Sequence, residues 1–478
     1  MKKYLLAIAL LLAPCAAYAA SGTIYIDTGG CETGSATKCS GTTDSASATV
    51  SGASATITCN ATAGPGGAPG CSLTGTPDLS GVATDGSQAI FLNCATNSNQ
   101  KIFFINAVDN ALDLVGTTVT PTGCTASSSD WGIGGRMIYA SANIETAVRA
   151  GDTVQFNNTP ATKAATFFTL RVSGDGASGF ITLRGKVGVR PVLETSNNSV
   201  VILGGGIGGW HIQNLELKRG GTSNNVMNTI GTGSLIEDVK ITSAPTAGAG
   251  IGLAAVFVRV INCEITGVGG DGINSSGSGT TNLILYGNYI HDNGGSGINL
   301  TGAGVDVTIS RNIIAGNTDR GILLGAPTTL SHITTITENT VYANGNSGLE
   351  VADTDQVMML YNNIFMNNGN AAGEYNVEWV AGTAETVSSH GYNVFYSAGG
   401  GGSGNVSGLT VNATESTSDP QFVNAGAGNF AIGNSSPAAA VGWPGTLLGS
   451  ASTGAPDIGA IQRQASGGGN QMRPGIGQ

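Results

Sequence analysis

Only 10% of the 478 residues are charged, 30 acidic and 19 basic, so the groups able to move a proton or hold an ion can be weighed one by one. Arg320 is a cation with Asp271 before it and Glu350, Asp353 and Asp355 after it. The carboxylates could bind calcium or work as an acid/base pair. Asn274 and Asn299 are neutral amides suited to hydrogen-bonding a polar ligand. Tyr289 and His291 lie two apart, so on a strand they share one side. With Tyr342 they could form a strip on which sugar rings stack. Other chemistries are not written in the chain. The four His have no metal-site spacing, and there is no G-x-S-x-G elbow, phosphate loop or dinucleotide fingerprint.

What positions these residues is a repeat. VINCEITGVGGDGI, YGNYIHDNGGSGI, SRNIIAGNTDRGI and TENTVYANGNSGL read alike, and the looser YNNIFMNNGNAAG follows. Each is anchored by a small polar residue: Cys263, Asn288, Asn312, Asn339 and Asn363. A Gly stands nine places after the first four anchors (Gly272, Gly297, Gly321, Gly348), with Ile273, Ile298, Ile322 and Leu349 next. A period of about 25 residues means a solenoid. Apolar residues alternate with period two and not 3.6, so the unit is made of strands. Three short strands and three turns make one coil. Stacked coils then pair their strands in parallel at about 4.8 Å. The Asn anchors are expected to stack inside one corner, each amide bonding the next. Cys263 in that place reads as a structural thiol.

The pattern predicts inward columns at Ile265, Ile290, Ile314, Val341 and Phe365 and at Ile273, Ile298, Ile322 and Leu349. Outward columns are expected at Asn274, Asn299, Leu323 and Glu350 and at Asp271, Ser296, Arg320 and Ser347, forming a polar ribbon. From about Ile138 to Ile461 the chain resembles the right-handed parallel β-helix proteins of the pectate-lyase-like superfamily. The resemblance implies an all-β fold, a single-stranded right-handed parallel β-helix of about 25 residues per coil. It also implies a substrate groove along a face like this ribbon. There an Arg or Lys takes the proton beside a uronate carboxylate, and acidic residues hold calcium. Arg320 is the base candidate that this suggests, with Asp271 two coils away and Glu350 on the next coil. The superfamily also holds non-catalytic surface proteins, so the fold does not fix the activity.

The remaining chain frames this core. Residues 1–19 have the Lys2-Lys3 positive end, apolar run and Ala-Tyr-Ala site of a signal peptide, which implies a secreted or cell-surface protein. No later run is apolar enough for a transmembrane span. Six cysteines (Cys31, Cys39, Cys59, Cys71, Cys94, Cys124) suggest a disulfide-rich N-terminal β-module over 20–135, of unspecified pairing. The β-helix with its C-terminal closing segment is assigned to 136–462, with a capping helix near 144–150. Residues 463–478 read as a disordered tail. The net charge is −11 and excludes nucleic acid as a natural partner. The expected partner is an extracellular glycan or polysaccharide. It would be met either by a binding or structural protein or by a lyase or glycoside hydrolase, with no certain cofactor and calcium as the candidate.

Overall fold

A computed structural model of the chain describes residues 150–462 and, before residue 139, the backbone of eight strands. Short internal stretches are excepted, the longest being 326–332, 381–388 and 444–455. The signal segment, the six N-terminal cysteine side chains, residues 144–149, His332, Asp353, Asp355 and the tail from 463 therefore lie outside the described residues. Each regular coil supplies three strands, as in Thr280–Tyr286, Tyr289–His291 and Ile298–Leu300. A ten-stranded parallel sheet, sheet one, runs from Phe168–Leu170 to Gly404–Ser407. Sheets two and three form the other faces. They are continuous in the early coils, where Trp210–Arg219 and Leu235–Ser243 pass through both. The chain is thus an all-β parallel solenoid. Among the described residues the helical element is a single 3-10 turn, Ala425–Ala427.

The two predicted inward columns are buried without exception. Ile265, Ile290, Ile314, Val341 and Phe365 are fully enclosed, as are Ile273, Ile298, Ile322 and Leu349. Each such side chain contributes roughly 1.5–3 kcal/mol by leaving water. The Gly column next to them has a reason other than turn geometry. A Cβ on Gly297 would stand 2.5 Å from Ile314 Cγ2 and 2.8 Å from the Gly321 carbonyl oxygen. Coils therefore approach one another there too closely for any side chain.

Two asparagine ladders run through the stack. Asn288, Asn312, Asn339, Asn363 and Asn393 are linked by Nδ2 to Oδ1 bonds of 2.9–3.0 Å. Each Oδ1 also accepts the backbone N–H of the residue one coil earlier, and Asn288 does this for Cys263 at 2.9 Å. Burial pushes the Cys263 thiol up to about 12. A second ladder, Asn293, Asn317, Asn344, Asn368 and Asn376, repeats the arrangement at the next corner. Before the first ladder the backbone turns left-handed at Asn214, Asp238, Asn262, Gly287, Arg311, Glu338, Asn362 and Tyr392. Five of the eight are Asn, Asp or Gly, which tolerate that conformation, while Arg311, Glu338 and Tyr392 adopt it as well.

Sheet three changes character along its length. Its outward residues are Glu216, Lys240 and Glu264 in the early coils. Its later coils present Tyr289, Ile313, Thr340, Ile364 and Val394. The C-terminal segment covers the apolar part. Phe430 and Ala460 pack on Ile313 and Ala315, while Ile432 and Ile458 pack on Ile364 and Val394. Ala460 N donates to Thr340 Oγ1 at 3.1 Å, and Asn362 holds both backbone groups of Trp443 at 2.7 and 3.1 Å.

At the other end, Thr23–Asp27 pairs in parallel with Thr153–Phe156 and Arg136–Ile138, and so joins the solenoid's first coils. Between them in sequence lies a six-stranded antiparallel sheet. It includes the expected strands Ala89–Asn93, Gln100–Asn110 and Asp113–Thr118.

Candidate functional site

The outward side of sheet one carries the densest polar chemistry among the described residues. Register stacks Asn274, Asn299, Leu323, Glu350 and Glu378 on successive coils. The neighbouring column needs a correction. Asp271 and Arg320 are partly exposed as expected, but Ser296 and Ser347 are fully buried. The turn before the strand closes over these small hydroxyls, so the ribbon is not uniformly exposed.

Arg320 is held by acids on both sides. Its Nε donates to Glu350 and its Nη1 to Asp319 at 2.9 and 3.0 Å. Burial alone pulls its pKa down, but Glu350 and Asp319 outweigh it and hold the guanidinium above its ordinary value. A proton so held is hard to give up, which weakens Arg320 as a base. Asp271 serves the two amides: its Oδ2 accepts Asn274 Nδ2 at 2.6 Å and Asn299 Nδ2 at 3.0 Å. Its Oδ1 accepts Ser296 N at 2.8 Å. The three residues thus form one hydrogen-bonded group, two coils N-terminal to Arg320.

Sequence reading singled out Glu350 but missed Glu374 and Glu378, which lie one coil beyond it. Glu350, Glu374 and Glu378 bring carboxylate oxygens within 4.8 Å of one another. Ser347 is their hub. Its Oγ lies 2.8 Å from Glu374 Oε2 and 2.6 Å from Glu378 Oε2, and it accepts Tyr375 N–H at 3.1 Å. A hydroxyl has one hydrogen to give, so it cannot satisfy two ionised carboxylates. Glu374 also accepts Ser347 N–H at 2.9 Å. Glu378 is pushed up by burial, against its Ser347 bond, and further by the charges of Glu350 and Glu374. Glu378 is therefore the member of the cluster whose surroundings favour its protonated form.

Tyr289 and His291 are elsewhere, on sheet three. Their rings stack on each other at 3.8 Å, and Tyr289 packs against the cluster formed by Phe430 and Ala460. Tyr342 stands in the His291 column and packs edge-on against Phe422 and Phe430. The aromatic strip thus faces the chain's own C-terminal segment, which occupies the side on which a sugar would stack. His291 instead joins Glu264, Lys240 and Asp292 in a charged row. The Glu264 carboxyl is held below its usual range by its bond to His291, against burial, with help from Lys240.

Residues 224–386 match the family described as right handed beta helix region. Among solved structures, pectate lyase Pel9A is similar at 15% identity, with 67% of this chain and 90% of that chain covered and a TM-score of 0.46. The A-module of the Azotobacter vinelandii mannuronan C-5 epimerase AlgE4 is similar at 13% identity, covering 56% and 91%, with a TM-score of 0.36. The catalytic unit of a GH87 alpha-1,3-glucanase from Streptomyces thermodiastaticus shows 13% identity over 80% and 90%, with a TM-score of 0.27. No curated protein sequence matches the chain. The described coils form a parallel β-solenoid, and the part over residues 224–386 matches a right-handed β-helix family. No helix among the described residues is long and apolar enough to cross a membrane.

Proposed function

We propose that the protein acts on an extracellular polysaccharide along the outward side of sheet one, and that the reaction is hydrolysis of a glycosidic bond. The substrate class follows from the fold's resemblance to the pectate-lyase-like superfamily. The chemistry follows from one observation: a single Ser347 hydroxyl lies between two carboxyl groups. Glycoside hydrolysis needs one protonated and one ionised carboxyl group near each other. Glu378 is the general acid in this reading. Glu350, hydrogen-bonded by Arg320, is the base or nucleophile. Their close spacing is nearer the roughly 5–5.5 Å of retaining enzymes than the wider gap of inverting ones. Asp271, Asn274 and Asn299 would bind sugar hydroxyls on the coils before the cleavage point. A β-elimination with Arg320 as base would first require a guanidinium held by two carboxylates to lose its proton.

A second reading has its own support. Glu350, Glu374 and Glu378 offer carboxylate oxygens alone, the hard donors that calcium takes. They would hold such an ion, which when bound supplies positive charge for an acidic sugar. Proton and cation compete for the same oxygens, so the two readings oppose each other in pH dependence.

The test is incubation of the purified protein with a polysaccharide panel, with calcium or with a chelator. Reducing ends and the ultraviolet absorbance of unsaturated uronate ends are read together. Hydrolysis predicts reducing ends alone, insensitivity to chelator and a loss of about 10²-fold or more in Glu378→Gln. Unsaturated ends abolished by Arg320→Lys would replace hydrolysis by elimination. Retention of a polysaccharide without cleavage would make the protein a binding module.

A further inference from the structure

A different corner of the solenoid, between sheets one and two, carries two phenylalanines that neither packing nor backbone geometry explains. Phe180, Gly209, Gly233 and Phe257 occupy one column, each just before the stacked residues Ile181, Trp210, Ser234 and Val258. Phe180 is 41% exposed and Phe257 58% exposed, so burial is not what holds them. Phe257 also has φ of +57°. The same turn is made by Gly209 and Gly233 before it and by Asn282 and Asp306 after it, all at positive φ. Left-handed backbone suits Gly, Asn and Asp and is costly for a bulky side chain. A strained position that exposes an aromatic ring is the kind of outlier from which a function is argued.

The surroundings say what the rings would meet. Three coil steps of about 4.8 Å set Phe180 and Phe257 roughly 14 Å apart along the axis. Between them stand two glycines: the space where a Cβ of Gly233 would stand is open, whereas the backbone of Gly174 lies 2.8 Å from where a Cβ of Gly209 would stand. Polar groups line one side. His211 Nε2 lies 2.9 Å from Glu237 Oε2, the Phe180 ring meets the His211 ring edge-on at 6.1 Å, and Arg259 is exposed beside Phe257. Two exposed rings with hydrogen-bonding groups beside them match the apolar face and polar rim of a pyranose chain.

We propose that Phe180 and Phe257 form a polysaccharide-binding platform. It would hold the chain several coils N-terminal to the Glu350–Glu374–Glu378 cluster. The substrate class rests on the reading given under Proposed function. The platform itself is a holding site and takes no part in bond cleavage.

The experiment is affinity electrophoresis of the full chain in gels containing xylan, mixed-linkage glucan, mannan or polygalacturonate. Phe257→Asn is compared with wild type, and Asn is the residue that the next coil uses in this turn. At least one polymer is expected to retard wild type, with an apparent dissociation constant about tenfold weaker in Phe257→Asn. The variant is expected to melt at the same temperature or higher, because it loses strain and no packing. Equal retardation of both proteins overturns the proposal, and so does absence of retardation by every polymer. Phe180→Ser, at a position without left-handed backbone, serves as the second variant and is expected to weaken the same polymer. Cleavage of short oligosaccharides separates this from the catalytic reading. Phe257→Asn keeps it, whereas Glu378→Gln loses it while retaining polymer affinity.

Discussion

Truncation of Asn339 to Ala removes one rung from the middle of the first ladder. The Asn339 side chain accepts Asn312 N–H at 2.9 Å and an Asn312 amide hydrogen at 3.0 Å. It donates to the Ile309 carbonyl at 2.8 Å and to Asn363 Oδ1 at 3.0 Å. Some of these partners keep alternatives. Asn312 Nδ2 still reaches Leu285 O and Ser310 O, and Asn363 Oδ1 still accepts Asn339 N–H. The Asn312 N–H and the Ile309 carbonyl lose their ladder partner inside a fully buried corner. At about 1–3 kcal/mol for each of the two orphaned groups, a loss of about 2–6 kcal/mol is expected in urea unfolding followed by circular dichroism. Asn346→Ala is the control. Asn346 is half-buried, outside both ladders, and bonds Asp319, so its loss should stay under about 1 kcal/mol. Asn339→Asp keeps the acceptor but turns a carboxylate oxygen toward two other acceptors. It should cost more than Ala at neutral pH, and the difference should shrink as acid returns a hydrogen to the group. A ladder that merely fills space would give Asn339→Ala a cost no larger than the control and Asp no pH dependence, and that result would refute the hydrogen-bond account.

Other predictions follow from single contacts. The native protein should leave Cys263 unmodified by thiol reagents at pH 8 and release it only on unfolding, since burial holds the thiol at about 12; rapid native labelling would contradict that burial. Gly297→Ala should lower stability by about 1–3 kcal/mol in thermal unfolding, because its Cβ would press on Ile314 and the Gly321 carbonyl. Glu264 has a lowered native pKa, so its contribution is present above about pH 4.3 and is lost as pH falls through the native value. Glu264→Gln should then melt below wild type at pH 7 and converge with it in acid; parallel curves would sink the assignment. Glu378 has the opposite sign. Its raised native pKa means that stability falls as pH rises from about 4.3 toward that value, and Glu378→Gln should flatten the fall.

The coil architecture was legible because its columns repeat in the linear chain. Ile265 to Phe365 and Ile273 to Leu349 follow directly from the period. The second ladder was equally readable, since Asn293, Asn317, Asn344 and Asn368 each stand five places after an anchor. So was the need for a cover on sheet three, where outward positions change from Glu264 to Ile313 and Ile364. The acid cluster was not legible. Glu378 joins the Glu350 column only because Asn376 takes its ladder place eight residues after Asn368, a shortening that breaks the 24–27 residue spacing. The meeting of two carboxyl groups at Ser347 depends on side-chain geometry that no periodicity encodes. Tyr289 and Tyr342 read as a free strip because the segment that covers them is remote in sequence.

The first ladder also has a direction. From Asn288 onward every amide gives its hydrogen toward the C-terminus, and the last, Asn393, gives it to Glu415 Oε1 at 2.8 Å. Glu415 has no side-chain exposure, and its other oxygen accepts Asn412 N–H at 3.0 Å. A carboxylate takes hydrogens and returns none, so it is a terminator and not a rung. At the opposite end Cys263 donates its backbone N–H to Asn288 Oδ1 and has no side-chain amide to add to the row. Any coil inserted between them with its own Asn brings one donor and one acceptor and leaves the tally unchanged. Tandem duplication of a coil is therefore neutral for the ladder, and the length of this solenoid is a heritable variable bounded by two unlike end-pieces.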